Sequence, residues 1–232
     1  MASVPMDHLR GKFIVLDGPD GAGKSTQHKR LDEALVAAGV AVVSCRDPGG
    51  TVIGDRIRSI LLDHDLAAMD VNCETMLFMA SRAQLVAEVI RPALSEGKTV
   101  LCDRFVSSTC AYQGAAGFDP QRVIELAKLA LDDCWPDVTI VIDVDVNEGF
   151  RRIGRKPSHA GKNRAASKGP MLFEGGGPDA MEARPIEFHR RVREMFRKLE
   201  TYYPTPVVTV CGDGDEASVF DRIAEGLTRV LG

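Results

Sequence analysis

An α/β domain, with a five-stranded parallel sheet and helices on both faces, is the fold class predicted for this chain of 232 residues. Five short apolar or β-branched runs recur along it, with helical patterns between them. Runs that are apolar throughout belong to strands covered on both faces, which is how parallel sheets are buried. The third observation is a glycine-rich stretch, GPDGAGKST at 18–26, placed directly after the first run and before a helical pattern.

In chain order the expected strands are FIVLD (13–17), VAVVSC (40–45), KTVLCD (98–103), VTIVIDV (138–144) and PVVTV (206–210). Between the second and third, a helix is expected from about Asn72 to Arg91, with Asn72 able to cap it near Cys73. Asp119 followed by Pro120 fits the cap and first position of another helix. One segment breaks the alternation: KPSHAGKNRAASKGPMLFEGGGP, 156–178, has no periodicity. It reads as a mobile flap, an insertion inside a lid region of about 150–186. The whole chain, 1–232, reads as a single domain, since 44% hydrophobic residues suffice for one sizeable core.

A net charge of −4 argues against a general nucleic-acid binder, which needs many clustered cations. The six cysteines are scattered without CxxC or Cys/His spacing, as in a reduced, cytoplasmic protein. The N-terminus has no apolar signal region and no stretch approaches a membrane-spanning length, so no membrane partner is expected.

The stretch at 18–26 is a complete GxxxxGK[ST] phosphate-binding loop in its proper context. Gly18, Gly21 and Gly23, with Asp20, Ala22 and Thr26, form a turn whose backbone amides face phosphate oxygens. Lys24 adds a point charge near the β and γ positions, and the Ser25 hydroxyl can ligate Mg²⁺. Nucleoside triphosphate binding is the direct implication. In such sheets ligands sit at the carboxyl ends of strands. There the sequence puts Asp17, then Arg46 and Asp47, then Asp103 and Arg104, so these groups should converge.

Further motifs appear in order: RDPGGT at 46–51, LFMASRAQL at 77–85 and DRFVSSTCAYQG at 103–114. With the phosphate loop, their order and spacing resemble the thymidylate kinase family over nearly the whole chain. The resemblance implies ATP-dependent phosphorylation of dTMP with Mg²⁺, in a homodimer formed through helices including the one bearing Phe78. It places Asp20 near the deoxyribose 3′-hydroxyl and the metal. Arg104 becomes the two-pronged anchor of the nucleotide 5′-phosphate, and Asp103 a metal-associated carboxylate. Phe78 is the base-stacking aromatic and Arg82 the donor to a thymine carbonyl, four apart on one helical face. Ser108, Thr109 and Gln113 line the nucleoside pocket, and Tyr112 sits where a ribose 2′-hydroxyl would need room.

Several of these residues keep a second reading. Asp17 could hold a metal-bound water or brace the loop. Ser108 and Thr109 could cap the following helix. Arg58 resembles an arginine near the acceptor phosphate but also reads as a solvated helix charge, and Arg46 could brace its loop.

Eukaryotic-type members carry an arginine where this chain has Gly21, so the resemblance is to the bacterial type, in which lid arginines meet the transferring phosphoryl group. Arg152 and Arg155 are the best-placed candidates, with Arg151, Arg164 and Arg184 behind them. Asp179 and Glu182 keep the register of the family's DRxE segment, but Ala180 replaces its arginine; Lys162, Arg164 and Lys168 could compensate for that loss, or their segment could be only a lineage-specific solvated loop. The alternatives are a kinase for another nucleoside monophosphate, or a switch protein, which the absence of an NKxD motif disfavours.

Overall fold

The computed structural model describes residues 6–63, 69–155 and 184–232. Five strands form one parallel sheet: β1 (Phe13–Asp17), β2 (Val42–Arg46), β3 (Thr99–Asp103), β4 (Val138–Asp143) and β5 (Val207–Cys211), in the order β2-β3-β1-β4-β5. The expected strands are all present, with bounds shifted by a residue or two, and the first is unchanged. Strands β1, β3 and β4 are buried almost throughout, as their unbroken apolar runs require. Strand β2 is half-exposed because it is an edge of the sheet.

Nine α-helices are present among the described residues: α1 (Lys24–Ala37), α2 (Val52–Leu61), α3 (Val71–Leu85), α4 (Arg91–Ser95), α5 (Val106–Ala115), α6 (Pro120–Leu131), α7 (Val146–Arg152), α8 (Ile186–Lys198) and α9 (Glu216–Leu231). They divide the core into two layers. Phe13 and Val15 face one, with Val100, Cys102 and the inner sides of α3, α5 and α8. Ile14 and Leu16 face the other, with Leu101, Ile140, Ile142 and the inner sides of α1 and α9. The period-two alternation of β1 therefore feeds both faces with apolar side chains.

Acidic caps set the starts of α3, α6, α7 and α9. Asp119 caps α6 with Pro120 at its first position, as the sequence predicts. Asn72 is not the cap of α3: that residue is Asp70, whose carboxylate accepts from the Asn72 backbone N–H at 2.9 Å. A carboxylate has the stronger claim on the helix's unpaired amides, and such a cap contributes about 1 kcal/mol. The helix expected to run to Arg91 leaves α geometry at Val86, continues as a π turn over Val86–Ile90 and resumes as α4. The flap at 156–178, with Lys162, Arg164, Lys168, and then Asp179, Ala180 and Glu182, lies outside the described residues. None of the described helices is long and apolar enough to cross a membrane.

The sheet order decides where the site forms. Strands β1 and β3 are direct neighbours, with Leu16 opposite Asp103, so the loops leaving their carboxyl ends emerge side by side. This juxtaposition brings Arg104 to the phosphate loop.

Candidate active site

The donor loop connects β1 to α1 and presses on α7. A Cβ at Gly21 would lie 2.1 Å from the carbonyl oxygen of Gly149, and one at Gly149 would lie 2.4 Å from that of Asp20. Loop and helix thus touch backbone to backbone. That contact gives the missing loop arginine a physical reason, since position 21 has no room for a side chain. It also carries the end of α7 to the rim of the loop.

Lys24 opens α1 and folds beneath the loop, its Nζ donating to the carbonyls of Gly18 at 3.0 Å and Pro19 at 2.9 Å. Burial, and then the Arg104 charge, bring its pKa down to about 8, against the pull of Asp20, Asp103 and Asp17. A cavity of about 660 Å³ in front of the loop is lined by Gly21, Ala22, Gly23, Lys24, Ser25 and Thr26 on one side, and by Arg151 and Arg152 on the other.

The two arginines favoured from sequence part company here. Arg152 stands at the donor cavity, held by Nε to Glu148 at 2.8 Å and by NH1 to the Gly212 carbonyl at 3.1 Å. Arg151 grips the same carboxylate with two bonds of 2.7 Å, and the two arginines keep Glu148 ionised, its pKa down at about 2. Arg155 turns toward α8: its guanidinium lies 4.1 Å over the Phe150 ring and donates to the Arg184 carbonyl at 2.8 Å.

On the acceptor side, Arg104 follows β3 with φ at +67°, a conformation that costs a non-glycine residue about 1 kcal/mol or more. That turn aims the guanidinium back at the loop. Its NH2 donates to Asp20 at 2.6 Å, its NH1 to Ser108 Oγ at 3.1 Å and to the Gly18 carbonyl at 3.3 Å, and its plane lies 5.2 Å over the Tyr112 ring. Burial opposes the Asp20 charge, but Arg104 and Lys24 hold its carboxyl below the usual range.

Asp17 is a brace. Its oxygens accept from the Gly18 amide at 2.8 Å, from Ser108 Oγ at 2.7 Å and from Ser107 Oγ. Helix α5 begins at Val106, so Ser108 and Thr109 lie inside it rather than capping it. Arg46 pairs with Asp55 at 3.7 Å, and Arg58 donates to the Pro48 carbonyl at 2.9 Å, so both support the 46–51 loop.

Arg82 is the largest fully buried side chain among the described residues. Its Nε donates to Asp47 at 2.5 Å, its NH2 to the Phe105 carbonyl at 3.1 Å and to Thr109 Oγ1 at 3.0 Å, while NH1 meets the Met79 thioether at 3.1 Å. It therefore joins the end of β2 to α3 and α5, whatever else it binds. Burial pushes the Asp47 carboxyl up, and Arg82 opposes that rise. Phe78, one turn earlier on α3, is half-buried against the same core layer. Tyr112 packs edge-on to Phe196 at 6.2 Å, and Gln113 donates to Glu74 at 3.1 Å.

For a divalent cation, the telling atom is Asp103 Oδ1, which is buried and has no hydrogen-bond partner. Asp103 and Ser25 line one cavity of about 450 Å³ beside the loop. An orphaned carboxylate oxygen near a hydroxyl suits Mg²⁺, which takes few protein ligands and fills its shell with water and phosphate. The described residues contain no group of three acidic, His or Cys side chains that would make a fuller metal cage.

Three further residues of the site, Glu74, Glu148 and His189, are not marked out by the motifs. Glu148 is legible, lying three and four residues before two arginines on a helix. Glu74 lies four before Phe78 on the same face. Asp47 lies within the 46–51 motif and at the strand end where the sequence expects it, but its pairing with a residue 35 positions away leaves no local trace, and neither does the inward position of His189.

The sequence profile of the thymidylate kinase family matches residues 16–223. A thymidylate kinase of Pelobacter propionicus is 41% identical over 214 residues, 92% of each chain. One of Halothermothrix orenii is 42% identical over 193 residues, 82% of this chain and 84% of that one. A solved thymidylate kinase from Ehrlichia chaffeensis superposes with a TM-score of 0.68 at 28% identity, over 93% of this chain and 98% of its own. With a complete phosphate loop, Arg104 paired to it, and relatives matched along most of their length, this chain belongs to the thymidylate kinase family.

Proposed function

We propose that this protein transfers the γ-phosphoryl group of ATP to the 5′-phosphate of dTMP, giving ADP and dTDP for dTTP synthesis. The observation that carries the reading is the 2.6 Å pair between Asp20 of the donor loop and Arg104 of the acceptor pocket, which joins the two halves of the site. Transfer of this kind asks the protein for alignment and charge compensation rather than covalent chemistry.

In this reading the amides of Gly18, Gly21, Ala22 and Gly23, with Lys24, Ser25 and Thr26, hold the triphosphate. Arg104 holds the acceptor phosphate, whose oxygen forms the new bond to the γ phosphorus as the bridging oxygen departs with ADP. Arg152 meets the charge that spreads over the transferring oxygens, and Arg155 is a second catalytic candidate. Asp20 orients the sugar, Phe78 stacks on the base, and Arg82 NH1 turns to a thymine carbonyl. Ser108, Thr109 and Gln113 complete the pocket, Arg58 supports it through its loop, and Tyr112 closes the space a 2′-hydroxyl would need. Mg²⁺, held by Ser25 and Asp103, would neutralise phosphate charge.

We further read residues 1–232 as one kinase domain, including an inserted lid segment at 156–178, working in the cytoplasm as a homodimer. Exposed Val52, Ile53 and Ile60 on α2, beside exposed Met76 on α3, support a second copy covering that face. The reading is tested by ADP release across dTMP, dUMP, dCMP, dGMP, UMP and AMP. A rate highest with dTMP supports it. Equal rates across the bases make the protein a broader monophosphate kinase, and slow hydrolysis indifferent to any acceptor makes it a switch. Light scattering tests the dimer.

A further inference from the structure

Glu74 on α3 is 5% exposed, and it sits one turn before Phe78. Both its carboxylate oxygens are engaged: Oε2 accepts from Gln113 at 3.1 Å, and Oε1 from NH2 of Arg184 at 2.8 Å. Arg184 precedes α8, with its guanidinium 4.6 Å over the Phe188 ring. Its carbonyl accepts from NH2 of Arg155 at 2.8 Å. The NH1 of Arg155 lies 3.3 Å from Nε2 of His189, and Nδ1 of His189 lies 3.8 Å from Oδ2 of Asp20. A line of polar groups therefore runs from α3 toward the carboxylate that pairs with Arg104, its last step an approach of 3.8 Å rather than a hydrogen bond.

We propose that Glu74 and Arg184 are positioning residues that fix Arg155 and His189 relative to the nucleoside pocket, so that the acceptor helix sets the geometry of the donor side. The proposal rests on the kinase reading above. Its physical basis is the burial of the Glu74 charge. A carboxylate so enclosed must keep both of its donors, and an ion pair of this kind constrains geometry more than it adds net stability. Stacking on Phe188 then limits the rotamers of Arg184, and with them the place of the carbonyl that Arg155 grips. Neither residue needs to touch a reacting atom, because small misplacements of a charged group cost rate steeply.

ADP release by the wild type with dTMP tests the kinase reading by itself, so failure there is distinguishable from failure of the positioning role. Arg184→Ala and Glu74→Gln each remove the ion pair, and Gln at 74 keeps an acceptor for Gln113. Each is expected to lower kcat about tenfold while KM for ATP stays within about twofold. Arg184→Lys, which keeps the charge but loses the planar stack on Phe188, recovers part of the kcat lost in Arg184→Ala, and the double variant is no slower than the slower single one. A merely structural role would move thermal stability without that rescue or that non-additivity. The Arg184 side chain is a quarter exposed, so its two variants decide the matter even if Glu74→Gln fails to fold. Wild-type kcat in Arg184→Ala, or a double variant showing the product of the two single losses, overturns the proposal.

Discussion

In the function proposed above, the donor half of the site is one run of consecutive residues, 18–26, that would work mainly through backbone amides, whereas the acceptor half is assembled by side chains from α3, α5 and the loops after β2 and β3. The difference is one of connectivity. A loop between a strand and the next helix takes its shape from local φ/ψ choices, so its residue types alone announce it. The buried cluster of Arg82, Asp47 and Thr109 exists only after the sheet has brought distant segments together, and its members double as packing. Loss of a donor-loop group should therefore damage chemistry on an intact fold, and loss of an acceptor-side hub should damage both.

The sharpest test of the donor side is Lys24→Ala. Removing the cation under the loop is expected to reduce turnover about a thousandfold with little change in melting temperature, by analogy with other groups that meet transition-state charge. Near wild-type turnover would break the assignment of the loop. Its acceptor-side counterpart is Arg82→Ala, which leaves the Asp47 carboxylate buried without its guanidinium. Breaking a buried pair in this way costs about 3–5 kcal/mol. Chemical denaturation should show that loss, together with weakened preference for thymine. A shift in base preference with unchanged stability would mean that Arg82 is a recognition residue only.

Next in size is the contrast between Arg152 and Arg155. Arg152→Ala should lower single-turnover rate about a hundredfold or more while leaving ATP affinity nearly intact, because the group acts on charge that develops during transfer. Arg155→Ala should be milder, since that guanidinium is held against Phe150 and the Arg184 carbonyl. Equal losses would erase the distinction drawn from their placement.

A smaller effect is expected from pH. Lys24 in the folded protein has a pKa near 8 instead of 10.5. As pH rises through 8 the free enzyme loses the ammonium, so kcat/KM for ATP should fall above that point. Stability should move the other way. Between pH 8 and 10.5 the unfolded chain binds the proton more tightly than the folded one, so this group's contribution improves as pH rises. A kcat/KM profile flat from pH 7 to 10 would contradict the depressed value. The smallest change is expected for Tyr112→Ala, which should raise the ribothymidine monophosphate rate relative to dTMP by about an order of magnitude. An unchanged ratio in a folded variant would remove Tyr112 from sugar discrimination.

Much of this arrangement is readable in the sequence where the physics is local. The five runs, the phosphate loop and the Asp119–Pro120 cap depend on neighbours within a few residues. The start of α3 is harder, because Asp70 and Asn72 are both competent caps and only the backbone path selects the stronger acceptor. The turn from α to π geometry at Val86 lies just ahead of Pro92, which has no N–H to give back and crowds the carbonyl four residues earlier, a local signal that the expectation of an unbroken helix to Arg91 did not use. Arg152 and Arg155 look alike in sequence, although three residues along a helix end separate a side chain at the donor cavity from one packed on α8.

By itself the sequence determined the strands, the donor loop and the order of the motifs, because strand burial, glycine turns and helix caps are set by contacts at short separation. Only the tertiary structure decided which charges pair. Arg82 chose Asp47 across 35 residues, Arg104 chose Asp20 across 84 and Arg184 chose Glu74 across 110. The reason is desolvation: a buried ion takes whatever opposite charge the fold brings within reach, and that choice is made by the order of strands in the sheet rather than by spacing along the chain.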